Sequence, residues 1–146
     1  GKLSVPHLSQ FQPIELTNML WAFAKVQVSC PELFQSAAHI IVADLAPFSP
    51  SNLSTLVWAF VTAQQIQAVV LHRLAKEFGA RMPNATVNPV ELANLLWAMA
   101  TAKLTPKGNL LEELGHRALR LLDDFKIQEL TITAWAFSRM DSRQDF

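Results

Sequence analysis

The sequence predicts an all-α protein, a right-handed α-solenoid of stacked two-helix repeats of about 38 residues. The four tryptophans, Trp21, Trp58, Trp97 and Trp135, are each followed by alanine and lie 37, 39 and 38 residues apart. Apolar residues recur elsewhere at spacings of three and four, as on an amphipathic helix, and no segment alternates with the period of two typical of a strand. Helical hairpins that bury their apolar faces only against their neighbours form solenoids.

The repeat is visible around each tryptophan. The segments PIELTNMLWAFAKV, SNLSTLVWAFVTAQ, PVELANLLWAMATAK and IQELTITAWAFSRM share a leucine five residues before Trp and a Phe or Met two residues after it. They define one array over residues 1–146, with units at about 11–48, 49–86 and 87–125 and a partial unit at 126–146. Because the last unit lacks a second helix, we expect the array to continue in a longer chain.

Each unit is predicted to be a hairpin of a Trp-bearing helix, A, and a second helix, B. Ser51 and Asn88 are good N-cap residues, and Pro13 and Pro89 suit the first turn, where a missing N–H is tolerated. The B helices follow a polar or proline-marked turn and are expected at residues 31–46, 66–81 and 106–125.

A helical wheel divides each A helix into three sectors. Positions −5, −2, −1 and +2 relative to Trp are apolar and are expected to face the core; in the third unit they are Leu92, Leu95, Leu96 and Met99. Trp shares a second sector with mostly small residues at −4 and +3, which let another helix approach closely. The third sector, at −6, −3, +1 and +4, is mostly polar apart from the alanine at +1.

The third sector supplies the candidate RNA-binding residues. Stacked hairpins align equivalent positions along one surface, and some repeat proteins read each base of single-stranded RNA with two or three such side chains. Amides and hydroxyls suit base edges, whereas lysine and arginine suit phosphates or base stacking. The candidates are Asn18, Lys25, Thr55, Thr62, Asn94, Thr101 and Arg139. Ile132 interrupts the series, and a polar face that is only solvated is the alternative.

The tryptophans themselves are expected to pack in the core. A large ring repeated among Ala and Leu on a helix is more typical of a structural wedge than of a base-stacking platform. On this interpretation Trp97→Ala would cost about 3–5 kcal/mol by leaving a cavity and would not alter the choice of ligand.

Catalytic and metal chemistry have little support in the sequence. Gly-rich phosphate loops, nucleophile elbows and paired catalytic carboxylates are missing. The histidines are scattered without ligand spacing: His7, His39, His72 and His116. We therefore expect no enzyme, cofactor, metal or small-molecule substrate. The acids that flank Arg117 and Arg120 indicate a solvated, salt-bridged surface.

Composition restricts the partners further. Twelve Lys and Arg balance twelve Asp and Glu, so the bulk charge favours no polyanion and a nucleic-acid contact must be local. The single cysteine, Cys30, forms no internal disulfide. The longest charge-free run, between Asp44 and Arg73, is interrupted by prolines and polar residues, so no membrane span is predicted.

The segments ELTNMLWAFAKVQ, NLSTLVWAFVTAQ and ELANLLWAMATAK resemble the octotricopeptide repeat family and the related helical repeats of proteins with RAP or FAST-kinase-type domains. The likeness is greatest to the Trp-Ala-Phe versions in dinoflagellate and apicomplexan proteins, and it spans about Phe11 to Met140. The resemblance implies an organellar protein, with the mitochondrion favoured over the chloroplast. It also implies binding of single-stranded or ribosomal RNA, in RNA metabolism or within a ribonucleoprotein such as the ribosome.

The sequence leaves a second class of function open. A helical array of neutral charge also suits a protein-interaction scaffold, a subunit of an organellar complex that holds a peptide or subunit without touching RNA. Salt distinguishes the two, because RNA binding releases counterions and weakens steeply as salt rises. At one base per repeat, this array would contact about four nucleotides.

Overall fold

The structure, a computed structural model, describes residues 5–144, with side chains described from Leu8 to Met140. Within that range the chain is all-helical, as predicted, and contains no strand. The A helices are α1 (Pro13–Val26), α3 (Pro50–Thr62), α5 (Pro89–Thr101) and α7 (Ile127–Gln144). The B helices are α2 (Pro31–Ala43), α4 (Ala68–Arg81) and α6 (Leu110–Arg120). Short 3-10 helices occupy Val5–Gln10, Met82–Asn84 and Leu122–Asp124. The last two residues of the predicted unit 126–146 lie outside the described part.

The first three A helices begin with a proline that follows a polar residue. Asn88 is the N-cap of α5, as predicted, and its Oδ1 accepts from the backbone N–H of Glu91 at 2.8 Å. In α3 the cap is Ser49, not Ser51: the Ser49 Oγ accepts from the N–H of Asn52 at 3.0 Å, and the Asn52 Oδ1 accepts from the N–H of Ser49 at 3.1 Å. The prediction of Ser51 was wrong because Pro50 takes the first helical position and so moves the cap before it.

The B helices are shorter than predicted. Helix α2 ends at Ala43 rather than 46, where Asp44 becomes extended, and α4 begins at Ala68 rather than 66. Helix α6 begins at Leu110 rather than 106 because Gly108 is left-handed, with φ of 63°, and interrupts the helical backbone. The predicted end at residue 125 is replaced by the 3-10 turn Leu122–Asp124.

A left-handed residue ends each of the first three A helices, six positions after Trp. These residues are Gln27, Gln64 and Lys103, with φ of 57°, 60° and 61°. After α3 and α5 the next N–H turns back to a carbonyl five residues earlier: Gln65 to Phe60 at 2.8 Å and Leu104 to Met99 at 2.9 Å. This is the hydrogen bond of a Schellman motif, formed here without glycine. It reverses the chain towards the B helix.

The A helices pack side by side in chain order, α1 on α3, α3 on α5 and α5 on α7. The B helices pack in the same order, α2 on α4 and α4 on α6, and α3 also packs on α4. The predicted core positions of α3 and α5 are fully buried and belong to one continuous apolar core. Within it Phe34 of α2 meets Phe60 of α3 edge-to-face, with ring centroids 5.2 Å apart.

The contacts between A helices use two different sides of each helix. The alanines at +1, Ala59, Ala98 and Ala136, are fully buried, whereas Ala22 of α1 is exposed. The small residues at −4 and +3 are buried in α1, α3 and α5 but exposed in α7. Each A helix therefore turns +1 towards the preceding A helix and −4 and +3 towards the following one. The prediction that the +1 alanines belong to the accessible polar face was wrong, because a wheel of one helix omits the preceding helix.

Two arginines join successive units through backbone carbonyls. The Arg81 guanidinium at the end of α4 donates to the carbonyl oxygens of Leu45, at 2.7 Å, and Phe48. The Arg117 guanidinium of α6 donates to those of Met82, at 2.5 Å, and Ala85, at 3.4 Å. The interpretation of Arg117 as part of a solvated, salt-bridged surface was wrong, because its guanidinium satisfies carbonyls in the preceding loop instead.

Candidate RNA-binding surface

One line of side chains remains accessible on each interior A helix. Between Asn52 and Thr62 of α3, every residue is buried except Thr55, Trp58 and Thr62. These are positions −3, 0 and +4, which lie within about 60° of one another on the helix and opposite the centre of the core face. We call Trp and its −3 and +4 neighbours, on all four A helices, the accessible strip.

Helix α5 repeats this pattern. From Leu92 to Ala100 only Asn94 and Trp97 escape full burial, and Thr101 at the end of the helix is exposed. The candidates Thr55, Thr62, Asn94 and Thr101 thus lie beside a tryptophan on the same side of their helices. Because α3 and α5 pack directly against each other, their two strips are neighbours.

The outer A helices carry a cation on the strip. In α1, Asn18 and Lys25 are exposed, and the Lys25 Nζ lies 4.8 Å from the centroid of the Trp21 ring. In α7, the exposed Arg139 Cζ lies 5.5 Å from the centroid of the Trp135 ring. Both are cation–π contacts between positions 0 and +4, and each holds a positive charge over an exposed aromatic face.

The expectation that all four tryptophans are core residues was wrong for two of them. Trp21 is 40% exposed and Trp135 is 39% exposed, whereas Trp58 and Trp97 are half-buried and pack against the core. The tryptophan at position 0 lies at the edge of the contact between neighbouring A helices. One part of its ring therefore packs against the core, and the other part is exposed to solvent. The sequence did contain a signal that these rings are exposed. On the helical wheel, position 0 lies close to the polar positions −3 and +4 and therefore on the same side of the helix.

Two polar groups near the strip are buried without a partner among the described residues. The Thr62 Oγ1 and the Glu91 Oε2 make no hydrogen bond there. The prediction that the Thr62 hydroxyl contacts RNA was therefore wrong, because only other atoms of this half-buried side chain reach the surface. Burial raises the pKa of the Glu91 carboxyl, against the opposing effect of its hydrogen bond with the Asn88 backbone. Glu91 occupies −6, beside the contact with α3, so the predicted polar sector lies partly inside the protein at this position.

Metal and membrane features are absent from the described part of the chain. From Leu8 to Met140, no three His, Cys, Asp or Glu side chains are grouped closely enough to hold a metal ion. His7 lies outside the residues whose side chains are described. Between residues 5 and 144, no helix combines the length and the apolar character that crossing a bilayer requires.

No protein-family model matches this chain, and no curated protein is significantly similar to it. The geometry of the strip and the resemblance of its sequence motifs are therefore what indicate a function for this chain.

Proposed function

We propose that the accessible strip binds single-stranded RNA, and that the A and B hairpins stack as a right-handed α-solenoid that presents it. The observation that carries this proposal is the alignment of Trp58 with Thr55, and of Trp97 with Asn94 and Thr101, as accessible residues of adjacent helices. An indole face stacks on any base, and an amide or hydroxyl beside it can bond the base edge.

The ends of the strip suit the phosphates. Lys25 and Arg139 lie over exposed indole rings and are the cations of the strip. A neutral chain that binds RNA through a few localised cations needs no large excess of positive charge. The resemblance to organellar helical repeats extends the proposal to an organellar, preferably mitochondrial, protein of RNA metabolism or of a ribonucleoprotein such as the ribosome.

Fluorescence anisotropy with a labelled pool of short single-stranded RNAs tests the proposal. We expect the RNA to bind at low salt, and its affinity to fall steeply as the salt concentration rises. Trp21→Ala removes an exposed indole together with its contact to Lys25, and is expected to weaken binding about tenfold, since base–aromatic stacking contributes about 1–3 kcal/mol. Gln35→Ala, at an exposed position of α2, is the matched control and is expected to bind like the parent chain. No retention at low salt would refute RNA binding by the strip.

One observation favours the alternative of a protein-interaction scaffold. A groove of about 710 Å³ between α6 and α7 is lined largely by apolar side chains. Leu119, Leu122 and Leu130 on its lining are 68%, 49% and 43% exposed. Exposed leucines around one groove are typical of a site that receives another protein. Binding of a protein subunit that persists in high salt, with no RNA retained in low salt, would select this alternative.

A further inference from the structure

A second groove lies between α4 and α6, among the B helices and away from the strip. Its volume is about 620 Å³, within the range of small-ligand sites. Arg73 and Lys76 line it from α4, and Lys107 lines it from the turn that precedes α6. We call this groove the α4–α6 cleft.

The α4–α6 cleft concentrates positive charge in a chain that is neutral overall. Three of the twelve lysines and arginines line it, with only one of the twelve acids, Glu113. The salt bridge recorded in the described part of the chain joins Arg81 to Glu77, so Arg73, Lys76 and Lys107 have no carboxylate partner there. Unpaired cations that converge on one groove produce a local positive potential, which attracts an anion.

The floor of the cleft is apolar. Gly79 of α4 meets the side chain of Leu110 at the start of α6, and a Cβ at Gly79 would collide with it. Ala80 and Val69 continue this surface, and Val69 is 75% exposed. An apolar floor beside three cations fits a ligand with a flat apolar part next to a negative group, as in a nucleotide.

His72 also lines the α4–α6 cleft, and the pKa of its imidazole is sensitive to charges placed there. Burial and the positive charge of Lys107 lower the pKa of its imidazole. The ring is therefore neutral near pH 7 and offers one N–H donor to a ligand. A bound anion would stabilise the imidazolium, so its arrival is expected to raise the pKa of His72. Arg73, Lys76, Lys107 and Glu113 are the other charged groups that line the same cleft.

We propose that the α4–α6 cleft binds the phosphate of a nucleotide, with Arg73, Lys76 and Lys107 as its cationic ligands. If the nucleotide belongs to RNA, the inference rests on the proposed RNA function. An RNA strand bound at the accessible strip would then place another of its backbone phosphates in the α4–α6 cleft. RNA would then contact two surfaces of the chain, one by stacking and one by charge.

The test compares two double variants that remove equal charge. Lys76→Gln with Lys107→Gln changes the cleft, and Arg120→Gln with Lys126→Gln removes two exposed cations that do not line it. The probes are a fluorescein-labelled polyuridine oligonucleotide and adenosine monophosphate. RNA affinity and its salt dependence are measured by anisotropy, and the pKa of His72 is measured by NMR with and without adenosine monophosphate. Far-UV circular dichroism checks that both variants are folded.

We expect the cleft variant to bind RNA about tenfold more weakly at low salt, with a salt slope reduced by about one, and the other variant to change less. We also expect adenosine monophosphate to raise the pKa of His72 in the parent chain and not in the cleft variant. If RNA binds the parent but both variants behave alike and the pKa of His72 does not move, the cleft proposal is wrong while RNA binding by the strip stands.

Two further outcomes distinguish a free nucleotide from a nucleotide of an RNA strand. If adenosine monophosphate raises the pKa of His72 but no RNA is retained, the cleft is a site for a free nucleotide and the proposed RNA function fails. If neither probe binds, both proposals are overturned.

Discussion

Ser54 of α3 donates a hydrogen bond from its Oγ to the backbone carbonyl oxygen of Glu91 in α5, at 2.6 Å. Ser54 occupies position −4 and is only 1% exposed, so the bond is made inside the contact between two A helices. A short hydroxyl at this point both permits the close approach of α5 and binds to it.

Ser54→Val is therefore expected to lower the free energy of unfolding by about 1–3 kcal/mol. The substitution removes the hydrogen bond and adds a methyl group to a buried helix contact. Thr131→Val changes the same position in α7, where the side chain is exposed, and is expected to have little effect. Urea denaturation of the two variants measures the difference, and equal losses would contradict the assignment of −4 to the helix contact.

The alanines at position +1 allow the same substitution to be compared at a buried and at an exposed site. Ala98 is fully buried against the preceding A helix, whereas Ala22 is exposed at the same position of α1. Ala98→Leu is expected to cost about 1–3 kcal/mol through overpacking, and Ala22→Leu less than about 0.5 kcal/mol. Leucine and alanine are both good helix formers, so the contrast isolates packing. A thermal melt in which both variants shift equally would show that +1 does not face the neighbouring helix.

Arg117 is expected to contribute more to stability than a surface arginine. Its guanidinium donates to the carbonyl oxygens of Met82 and Ala85 in the preceding loop. Arg117→Met keeps much of the apolar stem but removes these charge-assisted bonds, at an expected cost of about 1.5–3 kcal/mol. Arg120→Met, at an exposed position three residues further on, is the control. Chemical denaturation that ranks the two variants equally would mean that Arg117 behaves as a solvated side chain.

Glu91 makes the stability of the protein depend on pH. Its pKa is raised in the folded chain because burial disfavours the carboxylate, so the folded state prefers the protonated form. The stabilisation from this group is complete below the unfolded-state pKa and is lost as pH rises through the higher folded-state pKa. We therefore expect the free energy of unfolding of the parent chain, relative to Glu91→Gln, to fall between acid and neutral pH.

Urea denaturation across that pH range measures this relative stability. Glu15→Gln removes a carboxyl from the exposed −6 position of α1 and controls for the loss of negative charge in the first turn of a helix. A difference between parent and Glu91→Gln that stays constant with pH would contradict the raised pKa.

Local signals in the sequence were sufficient to predict the helices and the repeat that relates them. Proline and polar caps fixed the start of α5 at Asn88, and the period of three and four located the buried Leu92, Leu95, Leu96 and Met99. These signals are local, because a cap acts within one turn and an amphipathic pattern belongs to one helix. The candidate residues of the strip also followed from the wheel alone, since the angle between positions is fixed by the helix.

Which of those positions are exposed to solvent depends on contacts between helices that are distant in the sequence. The helical wheel places Ala59 and Ala98 on an open face, but the preceding A helix covers both; the same wheel reasoning predicts Trp21 in the core, but Trp21 is 40% exposed. Arg117 bonds to a carbonyl oxygen about 35 residues earlier in the chain. Likewise, Lys107 lines the same cleft as Arg73 and Lys76, which lie about 30 residues before it. A helical wheel carries no information about a neighbouring helix, and burial and local potential depend on what that neighbour covers.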